Sequence, residues 1–111
     1  MKVNRYELAG VPVVCPHEAL TQADCAQIRA VLEEAFAGGP AAVVLDLAEV
    51  PFIDSAGLEM LCEVSGEQRA RGGHLKLASC GEICEEALRI TDLRGRFEVF
   101  GSLEEAAASV V

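Results

Sequence analysis

The 111-residue chain predicts an α/β fold, a mixed and mostly parallel sheet of about five strands with about four helices. Three observations carry that prediction. Short strand-like runs alternate with helix-length stretches of helical periodicity. The run "AAVVLDL" is apolar almost throughout, as a strand covered on both faces must be. Breakers such as Gly38-Gly39-Pro40 and Gly72-Gly73 separate the segments. No repeat, linker or low-complexity stretch interrupts the pattern, so residues 1–111 read as a single domain, long enough to bury a core without staples.

The elements follow in order. "KVNRYEL" alternates and "VPVVC" follows Ala9-Gly10, which gives two short strands joined tightly as an antiparallel edge. Pro12 suits the start of the second strand, where no ladder donor is needed. Thr21, with Asp24 three residues on, offers a cap for a helix from about Gln22 to Phe36. Ile28, Val31, Leu32, Ala35 and Phe36 form its apolar stripe. After the "AAVVLDL" strand, a second helix runs from Ser55 or Ala56 to about Arg71. "HLKLA" is the next strand, "EICEEALRI" a shorter helix and "RFEVF" a late strand. Ser102-x-x-Glu105 is a capping box that opens a terminal helix. The succession calls for parallel pairing through right-handed crossovers.

Charge narrows the function. Nine basic against eighteen acidic residues leave a net charge of −9, and the basic ones are scattered rather than clustered. That counts against nucleic-acid binding, which needs grouped Lys and Arg on phosphates, so no nucleic-acid partner is expected, and it disfavours an anionic membrane. It suits a basic protein surface. No apolar run approaches the roughly 20 residues of a membrane-spanning helix, and the first residues carry no signal-peptide pattern. The expected location is the cytoplasm, where five cysteines stay reduced. Cys15, Cys25 and Cys62 are isolated, and Cys80 and Cys84 form C-x3-C without a nearby His, so neither a metal nor another cofactor is expected. Buried small hydrophobes are the reading for these thiols.

The stretch "VVLDLAEVPFIDSAGLEML" poses the functional question, because a strand there runs through a short loop into a helix. Ser55 is a good N-cap by residue type. Its capping-box partner is missing, however, since the residue three positions on is Leu58. Asp54 before it and Ala56-Gly57 after it leave the hydroxyl open. A phosphate at this position would meet free amides and the positive end of the helix dipole. It would also stand beside Asp54 and one turn before Glu59, so the fold would tolerate it while the surface changed character. Glu59, Glu63 and Glu67, spaced i, i+4 and i+8, align as an acidic stripe along the same helix. Such a stripe is either a solvated face or a dock for a basic partner. Enzymatic readings lack support: neither His17 nor His74 is tied to Ser55, and neither a G-x-S-x-G elbow nor a phosphate-binding P-loop is present.

"VVLDLAEVPFIDSAGLEML", "RARGGHLKLAS" and "ALRITDLRGRFEVFGSLEEAAAS" together resemble the STAS domain family, the sulfate-transporter and anti-sigma-antagonist domain, over roughly residues 8 to 110. The resemblance implies a non-enzymatic switch of the anti-sigma-factor antagonist type. In such proteins the Ser of D-S-x-G-L is phosphorylated by the partner, a serine kinase that is also the anti-sigma factor. The unphosphorylated form binds that partner and frees the sigma factor, phosphorylation abolishes binding, and a phosphatase reverses the mark. Carried over, Ser55 is the phospho-acceptor, with Asp54 beside it and Gly57 in the tight turn. Partner contacts are expected at Asp54, Ser55, Ala56, Gly57, Leu58, Glu59, Glu63 and Glu67. Two departures stand out: "PHEALTQAD" replaces a stretch where the family often has Gly, and Thr91-Asp92-Leu93 replaces T-G-L. The alternative is a small STAS accessory subunit of a lipid-transporting ABC system.

Overall fold

A computed structural model describes residues 1–110. Its five strands form one sheet in the order β1-β2-β3-β4-β5: β1 (Val3–Leu8), β2 (Val11–Pro16), β3 (Ala42–Asp46), β4 (His74–Ala78) and β5 (Glu98–Phe100). β1 runs antiparallel to β2, and the other three pairings are parallel. The hairpin closes on Ala9 and Gly10, both at positive φ (53° and 80°), the backbone a two-residue turn of matching twist requires.

Four helices complete the fold: α1 (Cys25–Phe36), α2 (Ser55–Arg69), α3 (Glu82–Ile90) and α4 (Leu103–Ala108). The first three connect successive parallel strands and share one face of the sheet. Ile28, Leu32 and Phe36 of α1, Leu58, Leu61 and Val64 of α2, and Leu88 of α3 pack there on Val14, Val43, Leu45, Leu75 and Leu77. Crossovers of one hand, always stepping in one direction, put their helices on one face. α4 covers the other, setting Ala106 and Ala107 against Val13, Val44 and Ala78. β3 is buried along its whole length, which is why its sequence does not alternate. Lys76 also lies on the α4 face, 6% exposed. Its ammonium meets Glu98 at 3.2 Å and lies 5.3 Å from the Phe100 ring centre, so the charge is paired rather than stranded.

Several boundaries differ from the sequence reading. The first helix begins with a separate 3-10 turn over Gln22–Asp24, and Thr21 places its hydroxyl on the Asp24 carboxylate rather than on a helix amide. α2 stops at Arg69, two residues early, because Gly72 turns to φ 85° and the Gly73 N–H closes on the Gln68 carbonyl. The last strand shortens to Glu98–Phe100, as Arg94–Arg96 wind into a 3-10 turn. Asp92, where the family pattern has Gly, adopts φ 58° and ends α3, with the Leu93 N–H on the Leu88 carbonyl. Aspartate is one of the few residues that enter this region at modest cost, so the departure keeps the turn.

Candidate functional site

The loop from β3 to α2 leaves the carboxyl end of the sheet, where open α/β folds bind and modify ligands. It is not loose. Leu20, in the connection from β2 to α1, pairs with Ile53 in parallel. The Leu20 N–H donates to the Phe52 carbonyl at 3.1 Å, and the Asp54 N–H donates to the Leu20 carbonyl at 3.0 Å. These bonds extend the β2–β3 pairing past the ends of both strands and fix the approach to the helix.

Asp54, not Ser55, is the N-cap of α2. Its Oδ1 accepts from the Gly57 N–H at 2.8 Å, and its Oδ2 accepts from the Gln22 N–H at 3.0 Å. One carboxylate therefore satisfies amides at two helix starts, the 3-10 turn before α1 and the first turn of α2. The Leu58 N–H donates to the Asp54 carbonyl. Ser55 is consequently the first residue inside α2, exposed, with no side-chain hydrogen bond among the described residues. The residue chemistry that made serine a plausible cap applies better to the acid one place earlier, whose carboxylate has two acceptor oxygens.

Gly57 has a different role from the one read in the sequence. It is buried in the first helical turn, not in a strained turn of its own. A Cβ there would lie 2.8 Å from both the Ile53 Cγ2 and the Leu20 carbonyl oxygen. The absent side chain is what lets α2 sit against the Leu20–Ile53 pairing. Leu58, expected among the partner contacts, is 3% exposed and packs in the core. Ala56 is half-buried, and Glu59, Glu63 and Glu67 are exposed.

The three glutamates do align along α2, but their surroundings differ. Arg29 on α1 reaches across to Glu63 at 3.6 Å and hydrogen-bonds Glu67, while also pairing with Glu33 on its own helix. Those carboxylates hold its guanidinium above the ordinary arginine range, with the Glu67 hydrogen bond the largest cause. One positive charge is thus shared among Glu33, Glu63 and Glu67, which offsets part of the stripe's charge and leaves the face acidic. Glu59, one turn from Ser55, has no ion pair among the described residues. It borders a groove of about 280 Å³ between α1 and α2, floored by Ala26, Ala56 and Met60.

Two contributors were missed in the sequence. Phe52, 45% exposed, stands three residues before Ser55 and puts an apolar side chain on the surface beside it. An aromatic directly after Pro51, in the loop that leads to Ser55, was the available signal. Arg29 was unreadable, because its acidic partners on α2 are more than thirty residues away in sequence.

His74 lies beside Glu98, and His17 donates its chain N–H to the Lys2 carbonyl. Neither histidine enters the hydrogen-bond set of Asp54 and Ser55. All five cysteines are free, and no group of three or more metal-ligating side chains occurs among the described residues. Burial pushes the Cys15, Cys25 and Cys62 thiols up, and nearby carboxylates push Cys15 and Cys25 further. No helix among the described residues is long and apolar enough to cross a membrane.

The STAS domain family model matches residues 2–106. BtrV of Bordetella bronchiseptica, which carries the name of an anti-sigma factor antagonist, is 30% identical over 109 residues, covering 98% of this chain and 94% of its own. A Thermotoga maritima crystal structure described in the same terms superposes with a TM-score of 0.88 at 21% identity, covering 97% of this chain and 93% of that one. The phosphorylated form of the Bacillus cell fate determinant SpoIIAA superposes with a TM-score of 0.74 at 20% identity, covering 99% of this chain and 100% of that one. At such identities the two structures speak for the fold alone. The family match and the BtrV relationship together decide the classification: the chain belongs to the STAS domain family.

Proposed function

We propose that this chain is an anti-sigma factor antagonist, a non-enzymatic switch protein of the cytoplasm that binds a serine-kinase anti-sigma factor and is released when Ser55 is phosphorylated. The family role of its relatives supports the first half. The observation that carries the second is the transfer of capping to Asp54, which leaves the Ser55 hydroxyl exposed on a backbone held by Leu20, Ile53 and Asp54.

Phosphoryl transfer asks little of the acceptor beyond position: a hydroxyl in line with the terminal phosphate of a nucleotide. A pinned loop supplies that at low entropic cost. After transfer, Ser55 would carry about −1.5 to −2 charge. The phosphate would stand at the positive end of α2, which stabilises it, so the domain stays folded. The partner's site still holds the remaining nucleotide phosphates, and like charges now face each other across the contact. Repulsion there, rather than refolding of the antagonist, releases the complex.

Phe52 would be the apolar anchor, and Glu59 the carboxylate left to meet a basic partner group. Glu63 and Glu67 are secondary, since Arg29 already pairs with both. A phosphatase would reverse the mark.

Binding titrations with the cognate kinase test the reading. Ser55→Ala should bind as the unmodified chain does, whereas Ser55→Asp should bind about tenfold more weakly or worse. Equal binding by both variants would refute the switch and favour a constitutive dock, as in an accessory subunit of a lipid-transporting ABC system.

A further inference from the structure

Cys80 and Cys84, spaced C-x3-C in the sequence, are brought side by side at the start of α3. Cys80 precedes Gly81, the N-cap of that helix, and Cys84 is its third residue. Gly81 is extended (φ −75°, ψ 173°), so the chain folds Cys80 back over the first helical turn, as a capping box folds its two partners together. The two thiols hydrogen-bond each other. Cys84 is 1% exposed in the main core, and half-buried Cys80 packs against the same cluster.

Two further contacts define the site. The Gly81 N–H donates to the Cys84 sulfur, and the Cys84 S–H donates to the Val50 carbonyl at 3.7 Å. The Cys80 hydrogen bond, helped by that amide and opposed by burial, holds the Cys84 thiol below its ordinary range, while the same bond holds Cys80 above it. Cys84 is thus the sulfur that gives up its proton first, and the thiolate is the form that reacts with oxidants. Gly81 leaves the approach open, since no atom beyond its chain neighbours lies within 4 Å of the place a Cβ would take. Val50 is 4% exposed, and its carbonyl has no other donor among the described residues. It opens the segment that runs through Phe52 to Ser55.

We infer that Cys80 and Cys84 are a reversible modification site, a dithiol that a hydroperoxide converts to a disulfide and whose oxidation is felt in the loop from β3 to α2. With hydrogen peroxide, the Cys84 thiolate attacks one oxygen and the O–O bond breaks, leaving a sulfenic acid and hydroxide. The Cys80 sulfur then displaces the sulfenic hydroxyl, which leaves as water with the Cys80 proton. The hydroxide takes up the proton that Cys84 lost. Two thiols and one peroxide give one disulfide and two waters. Cys84 then has no hydrogen to donate, so the buried Val50 carbonyl loses its donor and the loop loosens. The pair does not depend on phosphorylation at Ser55.

Peroxide treatment of the full chain tests this, with free thiols alkylated after denaturation. Trypsin releases both cysteines in one peptide, residues 77–89. After brief exposure to equimolar hydrogen peroxide that peptide should be two hydrogens lighter and unalkylated, while Cys15, Cys25 and Cys62 are still alkylated. Dithiothreitol should restore both thiols, and Cys80→Ser should form no bond in this peptide. Amide exchange reads the coupling. In the oxidised chain the Val50, Leu20 and Asp54 amides, all bonded within or onto the loop, should exchange about threefold to tenfold faster, and dithiothreitol should return them to their starting rates. Sulfinic acid on one cysteine with the other still free, equal oxidation of all five thiols, or loop amides unchanged by the disulfide would each overturn the inference.

Discussion

Two serines stand at helix starts in this molecule, and they are used differently. Ser102 is the N-cap of α4, and its hydroxyl accepts from the Glu105 N–H at 3.1 Å. Ser55 is one residue inside α2, because Asp54 holds the cap and the Gly57 amide with it. The first hydroxyl is part of the fold; the second is exposed and unengaged among the described residues. A one-place shift in where the chain turns helical separates a structural serine from a candidate chemical one. At Asp54 that shift is enforced from outside the helix, by the Leu20–Ile53 pairing and the Gln22 amide.

The comparison can be broken at its support first. Gly57→Ala pushes a methyl group into the Ile53 side chain and the Leu20 carbonyl, and should cost about 1–3 kcal/mol in denaturant unfolding. Asp54→Ala strips the acceptor from two helix starts and should cost about 2 kcal/mol, the upper end of the range for a cap. Ser102→Ala, which removes one cap bond, should cost about 1 kcal/mol. Ser55→Ala should stay within about 0.5 kcal/mol of the unmodified chain. If Ser55→Ala proved as costly as Ser102→Ala, the hydroxyl would be structural after all.

A helix end at the opposite pole sharpens the same logic. Asp92→Gly restores the residue that φ 58° favours and should raise stability by about 0.5–1 kcal/mol. No gain would mean that the aspartate side chain contributes an interaction of its own there.

The smallest effect concerns the thiols. Cys15, Cys25 and Cys62 are pushed above the ordinary thiol range by burial. The unfolded chain then gives up these protons first as pH rises, so stability should fall gradually once pH passes the ordinary thiol range. Urea midpoints across that range, compared with a variant carrying Ala at the three positions, check the sign: the variant should show the shallower decline.

Much of the fold was legible because it is written locally. The buried run of β3, the Ala9-Gly10 hairpin and the Ser102 cap each depend on neighbours within a few residues, and each appears in the structure, although among the described residues only the Ser102 half of the expected capping box forms. The loop was legible in position but not in assignment. Choosing Asp54 over Ser55 as the cap depends on Leu20 and Gln22, more than thirty residues upstream, and no local pattern registers such contacts. The acidic stripe was correctly aligned by helical spacing, yet its effective charge depends on Arg29 from another helix. Gly57 was recognised as necessary for the wrong reason, since close approach and turn geometry leave the same letter in the sequence.

The switch account stands most directly on one measurement: incubation of the purified chain with its cognate kinase and ATP, followed by phosphopeptide mapping. The account predicts a single phosphate on Ser55, none on the capping serine Ser102, and loss of labelling in Ser55→Ala. Phosphate at another residue, or none at Ser55 while the same kinase marks a second substrate, would contradict it.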